Sequence, residues 1–300
     1  MLGKYSQEAL EKLHYTILNA LKEFDRICRK YDITYFVGFG TAIGAARHHG
    51  FVPWDDDIDV CMLREEYEKL RNVPQEEWDK KYFIADPRDD YRLHRSLFPC
   101  MYIKGTTFET EGQIKYFKVA TDDNYPIHID IFVFDYFEES KLQQMIKTTD
   151  NYKRLVLYSK CKFKIVKTDS LKVRLSCGIK RFISACLNVT RLDSKKIYNK
   201  YLMYLEKNKG ANITGFELVE TYEKIAFVST YDEMFPVVYL PFEDMQVPMI
   251  KNYDEVMTKL YGDYMSIPPI EKRWNAAPVV LDFGDGNGNI MQKESEEKNA

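Results

Sequence analysis

Residues 40–60, Gly40 to Val60, read GTAIGAARHHGFVPWDDDIDV. Four carboxylates, Asp55, Asp56, Asp57 and Asp59, follow a glycine-rich turn and Trp54, and the chain then returns at once to apolar residues. Like charges at this spacing repel unless a cation neutralises them. Read as a strand, "DIDVCM" alternates, so Asp57 and Asp59 share one face while Ile58 and Val60 turn to the core. Two carboxylates so placed form an oxygen-rich site for a hard divalent ion such as Mg²⁺ or Mn²⁺. The rival reading is an ordinary solvated acidic turn.

Three features weigh against that rival: the alternation, the turn ahead and a second acid in an apolar setting. That acid is Asp130, within "YPIHIDIFVFDYF", where Ile127, Ile129, Ile131 and Val133 alternate with His128, Asp130, Phe132 and Phe134. A carboxylate there costs several kcal/mol if unpaired, so a cation should meet it, either a metal ion or a Lys or Arg. Upstream, "GFGTAIGAAR" sets Gly38, Gly40, Thr41 and Gly44 between the strand "ITYFVGFG" (Ile33 to Gly40) and a short helix. Exposed N–H groups and a Thr hydroxyl in such a turn can receive phosphate oxygens, although glycines also occur there for packing alone. Together these features point to a two-metal phosphoryl-transfer site.

Around this centre, Leu10, Leu13, Ile17, Leu18, Leu21, Phe24 and Ile27 have the spacing of an amphipathic helix from Ser6, its N-cap, to about Lys30. A helix is expected over Arg64 to Asn72 and another near Tyr253 to Tyr261, and "FPCMYIKGTTFE" reads as strand. The chain's 300 residues suit one large domain or two closely joined parts, and a net charge of −3 excludes a globally basic nucleic-acid binder. The six cysteines form no C-x-x-C pair and have no His at zinc spacing, so reduced thiols and a cytoplasmic location are expected. No signal peptide or membrane span is expected. Between Lys153 and Lys200 fourteen Lys and Arg face two acids, Asp169 and Asp193. Within that region "SLKVRLSCGIKRFISACL" reads either as a helix lying on an anionic membrane surface or as an ordinary helix with a Lys-rich solvent face. A calcium loop in "DGNGNIMQKESE" is a weak rival, because Ile290 stands where the sharp turn needs Gly.

The segment "GTAIGAARHHGFVPWDDDIDVCMLREEYEKL" resembles the signature of the LicD family, and "MYIKGTTF", "HIDIFVFD" and "YDEVMTKLYGDYMSIPP" extend the likeness. The resemblance implies an α+β fold: a nucleotidyltransferase-like mixed β-sheet core with helices over 1–140. A basic helix-rich region and a C-terminal family segment, 141–300, would pack on it. It implies a transferase moving a phosphorylated small group, phosphocholine foremost, from a CDP-linked donor to a hydroxyl of a cell-surface glycan or its lipid-linked precursor. Alternatives are a ribitol- or glycerol-phosphate transferase and a nucleotidyltransferase making an NDP-linked small molecule. By position, Asp57, Asp59 and Asp130 would be the catalytic metal ligands for two Mg²⁺ or Mn²⁺ ions. Gly40, Thr41, Gly44, Arg47, His48 and Lys104 would contact donor phosphates, Arg47 pairing with Asp55 or Asp56 in the rival reading. Trp274, Tyr261 and Tyr264 read either as an aromatic cage for choline or, for the two tyrosines, as packing residues of the core. Peripheral contact with the inner face of a membrane is a further expectation. The chain departs from the family after "SIPPIEKRW", where it reads "NAAPVVLDFGDGNGN" in place of a His-containing segment.

Overall fold

The Ser6 hydroxyl accepts the Ala9 amide and starts helix α1, Gln7–Lys30, whose periodic apolar residues are all buried. They pack on one face of a central sheet. The computed structural model describes residues 6–86, 88, 98–111, 117–118, 125–160, 162–163, 170–214 and 228–291. The architecture is α+β. The principal sheet contains β1 Phe36–Val37, β2 Asp59–Leu63, β3 Tyr82–Ala85, β4 Cys100–Ile103, β5 His128–Phe137, β6 Asn212–Thr214 and β7 Ser229–Thr230. Its order is β1-β2-β5-β4-β3; β6 pairs with the far end of β5, and β7 pairs with β6. Only β2 and β5 run parallel, so the sheet is mixed.

The β2–β5 register decides the rest. Asp59 lies opposite Asp130, Cys61 opposite Phe132 and Leu63 opposite Phe134, and Cys100 of β4 lies opposite Asp130 on the other side. Residues in register across a ladder point to the same face. One face therefore carries the row Asp59, Asp130, Cys100. The other carries Val60, Met62, Ile129 and Ile131, which join Leu13, Ile17, Leu21 and Phe24 of α1 in the main core. Burying each of these large aliphatic or aromatic side chains contributes about 1.5–3 kcal/mol.

Two short elements depart from the expectation. The strand expected over Ile33–Gly40 shrinks to Phe36–Val37, because Phe39 adopts a φ of +47° and the chain turns into helix α2, Phe39–Ile43. A π-helical turn, Gly44–His48, continues it. "FPCMYIKGTTFE" forms two strands, β4 and Thr107–Glu109, with a turn between. The expected helices appear as α3, Arg64–Arg71, and a helix over Tyr253–Tyr261.

Helices α4, Leu142–Lys160, α5, Leu171–Val189, and α6, Ser194–Lys207, supply a second buried cluster with Phe137 at the end of β5. The C-terminal part returns to the main core: Phe242, Val247, Met249, Met257 and Leu281 share one cluster with α1. Strand Val280–Asp282 pairs with Thr107–Glu109.

Candidate active site

Asp59 opens β2, and its amide donates to the Thr41 hydroxyl at 2.8 Å. That bond ties the turn of α2 to the strand end that carries the acid. Asp57 does not lie in the strand. Regular pairing begins at Asp59, with only the Ile58 carbonyl ahead of it accepting the Asp130 amide at 2.9 Å. Strand alternation therefore does not unite Asp57 with Asp59; the bend through Val52–Asp55, closed by a 2.9 Å bond, brings Asp57 close instead. Ligand atoms of Asp55, Asp56 and Asp57 lie within 4.8 Å of one another.

The electrostatics of this cluster are those of crowded anions. Burial, followed by the charges of Asp55, Asp59, Asp56 and Asp130, pushes the Asp57 carboxyl well above the usual carboxylate range. Asp55, half-buried beside Asp56, is pushed up to about 7 by desolvation and by the Asp56 charge. Asp130 is raised by burial, with His128 and the Cys100 thiol working in the opposite direction. The Cys100 Sγ–H donates to Asp130 Oδ1 at 3.2 Å, and His128 Nε2 lies 3.4 Å from the same oxygen. His128 is itself oriented by the Nδ1–H bond to the Pro126 carbonyl, 2.9 Å. A carboxylate crowd of this kind is relieved by divalent cations, and an all-oxygen donor set suits Mg²⁺ or Mn²⁺. The donor chemistry of Asp57, Asp59 and Asp130 thus fits such ions, with the softer Cys100 and His128 adjoining Asp130.

The remaining acids have structural partners. Asp56 accepts the Ala276 and Ala277 amides at 3.0 and 2.9 Å and so clamps the segment that departs from the family pattern. Asp55 lies over Gly40, where an added Cβ would come within 2.3 Å of its Oδ2. Gly40 is needed for that approach. His14 of α1 stacks on Phe51 and donates to the Asp55 carbonyl at 2.7 Å, linking the loop to the first helix.

The turn residues expected to hold phosphate face inward. Thr41 is buried with its hydroxyl on the Asp59 amide, and Gly44 lies against the Gly50 carbonyl, 2.4 Å from where a Cβ would stand. Arg47 is not directed at Asp55 or Asp56: its guanidinium donates to the Tyr264 and Ser266 carbonyls at 2.6 and 3.0 Å and to His48 at 2.9 Å. Burial and the nearby positive charge of Arg273 lower its pKa. Arg273 lies 4.2 Å over Trp54, whose ring meets His48 edge-on. The positive charge of Arg273 acts on Arg47, a repulsion that an anion between them would relieve, and Arg273 is a residue that sequence reasoning missed. Lys104 follows β4 on an exposed turn, its ammonium 5.6 Å over Phe83. Four residues of strand separate it from Cys100, about 13 Å, so it does not reach the cluster.

The aromatic expectation also changes. Tyr264 is buried with its hydroxyl on Asp254 at 2.5 Å, and Trp274 is an exposed surface residue. A different aromatic cleft begins two residues along β5 from Asp130. Phe132 meets Phe39 and Phe98 at 4.8 and 4.9 Å, and the cleft runs on between Tyr152, Tyr198 and Tyr201. At its floor Arg64 forks onto Asp135 through bonds of 2.8 and 2.7 Å, which satisfies both charges.

Residues 32–177 match a family model described as "LicD/FKTN/FKRP, nucleotidyltransferase domain". Over that span the chain is similar to the LicD family. The lipopolysaccharide cholinephosphotransferase LicD of Haemophilus influenzae is 29% identical over 276 residues, covering 87% of this chain and 93% of the relative. An uncharacterized protein of Rickettsia prowazekii is 24% identical over 121 residues, 40% of this chain and 43% of its own length. The LicD-family match spans β1 through the start of α5 and so includes the whole Asp55–Asp59 loop and Asp130.

Proposed function

We propose that this chain transfers a substituted phosphate group, phosphocholine foremost, from a CDP-linked donor to a hydroxyl of a cell-surface glycan or its lipid-linked precursor. The observation that carries the reading is the carboxylate cluster Asp55, Asp56 and Asp57, with the charges of Asp59 and Asp130 also acting on Asp57. The likeness to a lipopolysaccharide cholinephosphotransferase supports the choice of transferred group and acceptor.

Asp57, Asp59 and Asp130 would hold two Mg²⁺ or Mn²⁺ ions, which when bound supply charge neutralisation for the donor pyrophosphate and for the transferring phosphoryl group. Cys100 and His128, on the same face of the sheet, hold the Asp130 carboxylate from beside it. Arg47 and Arg273 offer paired cationic groups to the donor phosphates, and the carbonyl bonds of Arg47 hold its fork in place. The aromatic cleft beyond Phe132 suits a quaternary ammonium, which aromatic faces attract. In the transfer, the acceptor oxygen bonds to the distal phosphorus as the bond from phosphorus to the CMP oxygen breaks, and the acceptor proton passes to solvent. No protein nucleophile is required.

The test is product analysis with CDP-choline and a glycan acceptor. CMP release with choline phosphate on the acceptor is expected; pyrophosphate release from a nucleoside triphosphate would replace the reading with a nucleotidyltransferase. CDP-ribitol or CDP-glycerol turning over faster than CDP-choline would instead assign an alditol phosphate. Asp57→Asn and Asp130→Asn should each lower kcat by about 100-fold or more, the loss of a metal ligand. Retention of activity within about tenfold in both would remove the metal assignment.

A further inference from the structure

Helix α5 shows an apolar face on which no described residue of this chain packs. Leu171, Leu175, Ile179, Phe182 and Val189 are 70%, 61%, 63%, 71% and 84% exposed, and Cys186 between them is exposed as well. Their spacing of three and four places all six within an arc of about 80° on a helix, along a stripe about 27 Å long. The opposite side, with Cys177 and Leu187 buried, packs toward α4 and α6. The helix is therefore already anchored on its other face. Large aliphatic and aromatic side chains aligned in water at this density mark a surface that meets an apolar partner.

The charges beside the stripe identify the partner. Lys172 borders it on one side, and Arg174 and Arg181 on the other, all three exposed. The region Lys153–Lys200 carries fourteen basic residues and two acids. Two copies meeting through this face would bring rows of like charge together, whereas an anionic bilayer offers acyl chains to the stripe and headgroups to its borders. No helix among the described residues is long and apolar enough to cross a membrane, so the contact is one of lying on the surface.

We propose that α5 docks this protein on an anionic lipid surface, with Phe182, Ile179 and Leu175 entering the headgroup boundary and Lys172, Arg174 and Arg181 meeting lipid phosphates. None of these side chains belongs to the carboxylate cluster. Failure of lipid binding and failure of the transfer reading are thus separable.

The experiment is flotation of the full chain with phosphatidylcholine vesicles, with and without phosphatidylglycerol, at physiological salt. Wild type should float with the anionic vesicles and scarcely with the neutral ones. The double variant I179E/F182E, folded by circular dichroism, should lose about tenfold or more of the bound fraction, and K172E/R174E/R181E should lose the preference for anionic lipid. No flotation of wild type, or equal flotation of I179E/F182E, overturns the proposal. So does a wild-type dimer that I179E/F182E converts to monomer without any lipid binding, since a second copy would then cover the face.

Discussion

Asp86 and Asp57 show how differently one residue type is used. Asp86, fully buried, receives three bonds from Arg88 and one from the Tyr67 hydroxyl, and these hold its carboxyl down at about 2 against the cost of burial. Asp57 meets burial and four other acids, and moves the other way. Its folded pKa and that of Asp55, about 7, exceed the unfolded value of about 3.9. Their contribution to stability is therefore complete below that unfolded value and is lost as pH rises through the folded one. Without metal, the melting midpoint should fall from about pH 4 to about pH 7.5, and Asp57→Asn should fall less, ending about 3–5 °C above wild type at the upper pH. Excess Mg²⁺ or Mn²⁺ should restore the wild type and leave Asp57→Asn nearly unchanged. Scanning fluorimetry across this range checks both. A wild-type midpoint that does not fall would mean that the crowd is neutralised from within the chain.

At the scale of the element, the decisive join is between α2 and β2. The Thr41 hydroxyl accepts the buried amide of Asp59, while Gly38 and Gly40 let Cys61 and Asp55 approach the turn. Thr41→Val keeps the shape but strips that amide of its acceptor. It should cost about 1–3 kcal/mol in urea unfolding. Because the same bond places Asp59, kcat should fall with stability, whereas Thr41→Ser should restore both. A stable but inactive Thr41→Val would instead favour a direct phosphate contact by the hydroxyl. Helix α1, the strand character of β2 and β5 and the helix of Tyr253–Tyr261 were legible from period and β-branching, whereas the parallel register that sets Asp59 opposite Asp130 was not. The end of β1 was not, since nothing in "GFG" announces that Phe39 takes a positive φ.

Across the whole molecule, the N-terminal segment that carries the carboxylate cluster and the C-terminal segment depend on each other. Asp56 holds Ala276 and Ala277, Arg47 holds Tyr264 and Ser266, and Leu281 is fully buried in the core begun by α1. Removing residues 276–300 should therefore lower the melting midpoint by about 5 °C or more, because a core strand and its cavity-filling side chain are lost. Asp56→Ala should do part of the same damage and raise the KM for donor through the released Arg47–Arg273 wall. Thermal unfolding and steady-state kinetics on the two variants check this. A truncated chain that melts like wild type would mean that the segment is peripheral.

Local chemistry was thus readable from the amino-acid order alone: a run of acids in an apolar setting, a second acid in an alternating strand, an amphipathic basic helix and the family likeness these carry. Those properties depend on neighbours in the chain and on period. The division of labour within the run depended on the tertiary structure. Asp56 became a clamp only when Ala276 and Ala277 arrived, Thr41 and Gly44 turned inward against Asp59 and Gly50, and Cys100 and His128 came to flank Asp130 through strand pairing. Each of these partners is fixed by long-range packing, and contacts of that kind leave no periodic trace in the sequence.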